Sequence, residues 1–122
     1  MLTYTLGFRD PIDLQHHFWK HGAEFGITTA DEYEALADVF LGGPRPASVL
    51  ECQRRKDADI LRFDDQTSFF GAIRVTRVIR TLYKPIPCAS LPVGARARMV
   101  RERRCHREAS NLLYFRLECA KR

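Results

Sequence analysis

The sequence predicts an α+β fold in which two N-terminal helices pack on one face of a four-stranded antiparallel meander, followed by a basic C-terminal tail that could be helical. Apolar residues repeat with a helical period before Gly42 and in short strand-like segments after Pro44. Polar turns separate these later segments at short intervals, which is typical of hairpins. A chain of 122 residues with 45% hydrophobic composition fits a single packed domain.

The first helix is expected to begin at Asp10 and to stop at Gly22. An aspartate caps free backbone N–H groups, and the proline that follows it suits the first helical position. Leu14, Phe18 and His21 follow at i, i+4 and i+7, so they share one stripe of the helix. The pattern predicts that His21 is half buried at the helix end.

The second helix is predicted from a capping box and an apolar face. Thr29 and Glu32 have the spacing in which a hydroxyl and a carboxylate satisfy the first backbone N–H groups. Glycines and a proline at residues 42–44 end the helix. The apolar face comprises Tyr33, Leu36, Ala37, Phe40 and Leu41.

Four strands are predicted at residues 48–54, 59–64, 67–74 and 77–83, where Val, Ile and Phe are frequent and the connections are short. Prolines at 85 and 87 end the sheet, because proline cannot donate to a strand ladder.

The C-terminal segment divides the chain into a domain at residues 1–90 and a basic extension at residues 91–122. The extension is expected to form one or two helices with Leu113, Leu117 and Ala120 on one face, or to be a partly ordered tail. We expect it to contribute affinity rather than chemistry.

Positive charge is concentrated in the second half of the chain. The net charge is +5, and residues 91–122 carry nine basic against three acidic side chains. Such clustering indicates an anionic polymer as partner. The arginines expected to bind RNA are Arg62, Arg77, Arg80, Arg96, Arg98, Arg101, Arg103 and Arg104.

Cysteine usage and the apolar runs indicate the compartment. The four cysteines show no C-x-x-C pattern and are expected to be free thiols in a reducing compartment. The N-terminus lacks the features of a signal peptide, and no apolar run is long enough to span a bilayer. We therefore expect a soluble protein that acts in the cytoplasm.

Three of the four histidines lie within six residues, at His16, His17 and His21. Histidine can serve as acid or base near neutral pH, whereas a core histidine bonded to a carbonyl is the structural alternative for His21. We expect His16 and His17 on the helix surface, Trp19 in the core and His106 in solvent. No further ligands stand at zinc-binding spacing.

Three stretches share the pattern of a known family: KHGAEFGITTADEYEALADVFL, LRFDDQTSFFGAI and VIRTLYKP. Together they resemble the bacterial and phage-associated toxin domains related to the colicin D ribonuclease domain, within the barnase- and colicin-like toxin nucleases. The resemblance covers residues 14–85, and the segment from Ile86 onward has no counterpart in it.

The resemblance implies metal-independent cleavage of RNA, with tRNA as the substrate, and no cofactor. The positions that match the family's catalytic pattern are Lys20 and His21 at the helix end, with Thr81 and Tyr83 on the last strand. It also implies an inhibitory partner, an immunity protein or antitoxin, that is acidic where it covers the basic cleft. The residues alone leave two alternatives open: a non-catalytic nucleic-acid-binding module and a phage-derived protein-interaction domain.

Overall fold

A computed structural model describes residues 2–122 and shows an α+β fold with four helices and a four-stranded antiparallel sheet. Helices α1 and α2 precede the sheet, and α3 and α4 follow it, so the C-terminal extension holds two further helices. The elements are α1 Pro11–His21, α2 Ala30–Gly42, β1 Val49–Gln53, β2 Ile60–Asp64, β3 Phe69–Ile73, β4 Ile79–Tyr83, α3 Val93–Arg101 and α4 Asn111–Ala120.

The predicted helix starts are confirmed by their caps. Asp10 Oδ1 accepts the backbone N–H of Asp13 at 2.7 Å. Thr29 Oγ1 accepts the N–H of Glu32 at 3.2 Å and donates its own proton to the Glu32 carboxylate at 2.8 Å. Each cap satisfies one of the four free N–H groups of a helix start.

The end of α1 agrees with the prediction, because the helix ends at His21 and Gly22 is its C-cap. The chain continues past Gly22 as a 3₁₀ turn, Gly22–Phe25, and turns only at Gly26, whose φ of 66° favours glycine. A Cβ at residue 22 would lie 2.6 Å from the Phe18 ring, so the glycine there allows close packing.

The strands follow one another as a meander in the order β1-β2-β3-β4, as predicted. A register shift at Ala72 and Ile73 pairs them with Thr81 and Ile79, which leaves Arg80 as an extra residue in β4. Such a bulge bends the strand and redirects its side chains.

One face of the sheet is covered by α1 and α2. Tyr33, Ala37 and Leu41 of α2 pack against apolar side chains of β3 and β4. The Tyr33 hydroxyl donates to the carbonyl of Leu82, so this buried polar atom has a partner. The core on this face follows the apolar stripe predicted for α2.

The opposite face is covered in part by α4. Phe115 is 4% exposed and stacks on Phe63, with ring centroids 5.5 Å apart. The predicted face of this helix was wrong, because Leu113 and Leu117 are 40% and 45% exposed. Apolar side chains lie on all sides of α4, so the helical period alone does not identify the side that faces the sheet.

Two disulfides correct the expectation of free thiols. Cys52 of β1 is bonded to Cys119 of α4, and Cys88 is bonded to Cys105. Because the bonded cysteines are far apart in sequence, the sequence alone did not indicate which of them pair. Disulfides are typical of proteins that pass through an oxidising compartment. No helix in residues 2–122 is long and apolar enough to cross a membrane.

Candidate active site

A cavity of about 370 Å³ opens where α4 leaves the β4 edge of the sheet uncovered. We call it the histidine cavity. Its walls come from the end of α1, from β4 and from the segment that follows α3. The residues lining it include Lys20, His21, Thr81, Tyr83, Arg103, Arg104 and Tyr114. The four residues predicted to be catalytic therefore lie around one cavity.

His21 is held by a carboxylate from the 3₁₀ turn. Its Nδ1 lies 2.7 Å from Glu24 Oε2, and the other oxygen of Glu24 accepts the backbone N–H of Lys84 at 2.7 Å. An ionised carboxylate can only accept, so Nδ1 of His21 carries a proton and Nε2 is left for exchange. The His21 side chain is 14% exposed, which confirms the expectation that it is half buried.

His17 is part of the same wall, although it was expected on the surface. Its side chain is 21% exposed, and its Nδ1 lies 3.4 Å from Thr81 Oγ1. The rings of His17 and His21 are 6.4 Å apart between centroids. The signal in the sequence was their i, i+4 spacing, which places both on one side of a helix. His16 is exposed, as expected, and it also borders the histidine cavity.

Thr81 and Tyr83 of β4 project from the same face of the sheet, as strand alternation predicts. Tyr83 stacks on His21, with ring centroids 5.2 Å apart. Its hydroxyl forms a hydrogen bond with the hydroxyl of Tyr114, a residue of α4. Burial raises the pKa of Tyr83 well above its ordinary value, and burial also raises the pKa of Tyr114. Both hydroxyls therefore keep their protons near neutral pH.

Cations stand at the mouth of the histidine cavity. Lys20 is exposed on α1, and Arg103 and Arg104 are exposed on the opposite side. The nearest carboxylate found for Arg104 is that of Glu102, at 3.9 Å. These side chains leave the mouth positively charged.

Three of the arginines expected to bind RNA are engaged within the protein. Arg62 donates to the carbonyls of Phe40 and Gly43, at 3.1 and 2.8 Å. Arg77 donates to the carbonyl of Tyr4, and Arg96 of α3 donates to three carbonyls of residues 88–91, in the segment before that helix. The acceptors of Arg62 and Arg77 lie far away in sequence, so the sequence gave no sign of these bonds.

The other expected arginines are more accessible. Arg98 pairs with Glu102 at 3.3 Å on α3, and Arg101 is exposed at the end of that helix. Arg80, in the bulge of β4, lies 2.9 Å from the buried carboxylate of Asp59 and is 39% exposed. Burial raises the pKa of Asp59 against the opposing charge of Arg80.

A second cavity of about 340 Å³ adjoins the first across β4. We call it the arginine cavity, because Arg9, Arg54, Arg74 and Arg80 line it. His17, Thr81 and Tyr83 border both cavities. The two cavities therefore meet along the wall that His17, Thr81 and Tyr83 form, and we call them together the groove.

Two further expectations are corrected here. His106 is half buried and stacks on Tyr114 at 4.4 Å between centroids. Its Nε2 lies 2.8 Å from Asn111 Oδ1 and its Nδ1 accepts a backbone N–H, so the ring supports Tyr114 instead of standing free in solvent. Trp19 is 76% exposed and does not anchor the core.

In residues 2–122, no group of three or more His, Cys, Asp or Glu side chains is arranged to hold a metal ion. No protein-family model matches the chain, and no curated protein matches it. The likeness to colicin D-type domains therefore stays a hypothesis.

Proposed function

We propose that this chain is a metal-independent endoribonuclease toxin that cleaves RNA, with tRNA as its substrate, by attack of a ribose 2′-hydroxyl on the neighbouring phosphate. One observation carries the proposal. Lys20 and His21 of α1 lie around the same cavity as Thr81 and Tyr83 of β4, although the two elements are far apart in sequence. These are the four positions that match the pattern of colicin D-type domains.

The chemistry requires a base, an acid and groups that stabilise charge on the phosphate. His21 supplies an exchangeable proton position at Nε2, and Glu24 fixes its ring. Lys20 supplies positive charge, and Thr81 supplies a hydroxyl donor. Neighbouring residues on a regular α-helix point about 100° apart, yet Lys20 and His21 both border the histidine cavity, as the adjacent pair His16 and His17 does one turn earlier.

The groove also suits a polynucleotide. Arginines lie on both sides of the histidine pair, with Arg74 and Arg80 at one end and Arg103 and Arg104 at the other. Each cation that neutralises a phosphate adds sequence-independent affinity. A flexible, anionic strand can therefore pass through the groove with one phosphate at the centre.

A toxin of this kind needs an inhibitor. We expect an immunity protein or antitoxin with an acidic surface that covers the basic mouth of the groove. The site of action would be the cytoplasm, where tRNA is found. The disulfides would form in an oxidising compartment before the chain reaches its substrate.

The second candidate is a nucleic-acid-binding module without catalysis. Its support is the exposed run Arg101–Arg104, which would bind phosphate whether or not the histidines act. The third candidate, a phage-derived protein-interaction domain, would use an exposed apolar surface such as Trp19.

The deciding experiment is incubation of the purified, disulfide-bonded protein with total tRNA in excess EDTA at pH 7. The proposal predicts discrete fragments that end in a 2′,3′-cyclic phosphate and begin with a 5′-hydroxyl. Binding without fragments would favour the module. Neither binding nor cleavage would favour the interaction domain.

A further inference from the structure

His17 lies between two aromatic neighbours at the centre of the groove. Its ring is 5.2 Å from the Phe8 ring and 6.4 Å from the His21 ring, and the planes of the two histidines differ by 28°. Thr81 Oγ1 lies 3.4 Å from its Nδ1. The ring is thus held by packing on two sides and by a hydroxyl on a third. A group that transfers a proton is expected to have such a fixed orientation.

The surroundings of His17 favour its neutral form. Burial is the main cause that lowers its pKa, and the positive charges of His21, His16 and Lys20 act in the same direction. Asp13, whose carboxylate lies 3.5 Å from Nε2, opposes them.

Other elements place charged and polar groups around His17. The guanidinium groups of Arg9 and Arg80 line the arginine cavity beside it, and β4 adds the hydroxyls of Thr81 and Tyr83. A histidine that is neutral at pH 7 is ready to accept a proton. The Glu24 carboxylate instead orients His21 through its Nδ1, which leaves Nε2 for the leaving oxygen.

We infer that His17 is a second catalytic histidine, which acts as the base toward the 2′-hydroxyl while His21 acts as the acid toward the leaving oxygen. This assignment rests on the proposed function and adds a residue that the resemblance does not supply. His17 and His21, four residues apart on α1, then act on one phosphate in opposite roles, one as base and the other as acid.

Neutral His17 removes the proton of the 2′-hydroxyl, and the 2′-oxygen forms a bond to phosphorus. The bond between phosphorus and the 5′-oxygen breaks, and that oxygen takes a proton from the imidazolium of His21. The products are a 2′,3′-cyclic phosphate and a 5′-hydroxyl, and solvent returns the proton from His17 to His21.

The first test is His17→Gln, with Ile12→Gln as the control on the same helix, because Ile12 is 83% exposed and lines neither cavity. Loss of a positioned base lowers the rate by roughly 10²–10⁴-fold. A lowered pKa means that His17 charges only below its ordinary range, so wild-type kcat/KM should fall as the pH drops through that value. This acid limb should vanish in His17→Gln and persist in Ile12→Gln. Circular dichroism and melting temperature identify any variant that fails to fold, and His17→Asn replaces it.

The second test separates base from acid by changing the leaving group. In an RNA substrate whose 5′-bridging oxygen is replaced by sulfur, the thiolate leaves without a proton. His21→Ala should recover most of its activity on this substrate, and His17→Gln should recover none. A residue with a merely structural role would lose activity equally on both substrates.

Three outcomes overturn the inference. A folded His17→Gln variant that cleaves at the wild-type rate removes His17 from catalysis and leaves the proposed function intact. Recovery of His17→Gln on the sulfur substrate assigns it the acid role instead. Wild-type protein that cleaves no RNA overturns the proposed function and this inference together.

Discussion

The two faces of the sheet are covered to different extents. On one face α1 and α2 bury Ile73, Ile79 and Leu82 to 1% exposure or less. On the other face α4 buries Phe63 and Phe70, but Thr81 and Tyr83 at the β4 edge border open cavities. The covered face therefore stabilises the fold, and the half-covered face leaves polar side chains accessible for chemistry.

The difference shows how the site arises from an incomplete layer. An α-helix with its side chains is about 10 Å wide. The single helix α4 therefore cannot cover all four strands. Helix α1 forms one wall of the gap, and the segment after α3 forms another. Helix α4 still reaches the gap through Tyr114, whose hydroxyl bonds to that of Tyr83.

We expect the largest loss of stability when the aromatic side chain by which α4 packs on the half-covered face is removed. Phe115→Ala should lower the free energy of unfolding by about 3–5 kcal/mol, because it leaves a cavity against Phe63 and Phe70. Leu41→Ala on the other face should cost about 2–5 kcal/mol. Urea denaturation measures both. A cost below about 1 kcal/mol for Phe115→Ala would mean that α4 is not part of the core.

The disulfides allow a second comparison on the half-covered face. Cys52–Cys119 closes 67 residues and Cys88–Cys105 closes 17. Loop-closure entropy predicts losses of about 4 and about 3 kcal/mol when each pair is changed to serine. Denaturation of the two double variants tests this order. Equal stability of wild type and both variants would show that the tail is held by packing alone.

The sequence predicted the covered face better than the half-covered one. Helix caps at Asp10 and Thr29 and the four strands are encoded by neighbouring residues, and they were found. The packing of Phe115 and the role of Tyr114 depend on contacts between distant segments, which no local period reveals.

The same limit affected the site. The resemblance selected residues of α1 and β4 but ended before α4. The extension at residues 91–122 was expected to contribute affinity rather than chemistry, yet it supplies Phe115 to the packing on the sheet and Tyr114 to the cavity. His17 was missed because its neighbours in space, Phe8 and Thr81, come from other elements.

A smaller effect is expected at the mouth of the groove. The double variant Arg103→Ala/Arg104→Ala should weaken RNA binding and reduce the slope of log K against log salt by about one unit for each lost phosphate contact. Arg107→Ala is the control, because Arg107 is 96% exposed and lies outside both cavities. Titrations of labelled tRNA at several salt concentrations measure the slopes. An equal slope in the double variant and the control would place RNA elsewhere.

The central claim is that the open half of the sheet is an RNA-cleaving site, and two substitutions on α1 test it most directly. Single-turnover cleavage of tRNA in EDTA should fall by roughly 10²–10⁴-fold in His21→Ala and stay near the wild-type rate in Ile12→Ala, an exposed position outside both cavities, with both proteins folded. Lys20→Ala should lose less than His21→Ala, since it removes charge and not a proton-transfer group. A folded His21→Ala protein that cleaves tRNA as fast as wild type would contradict the account.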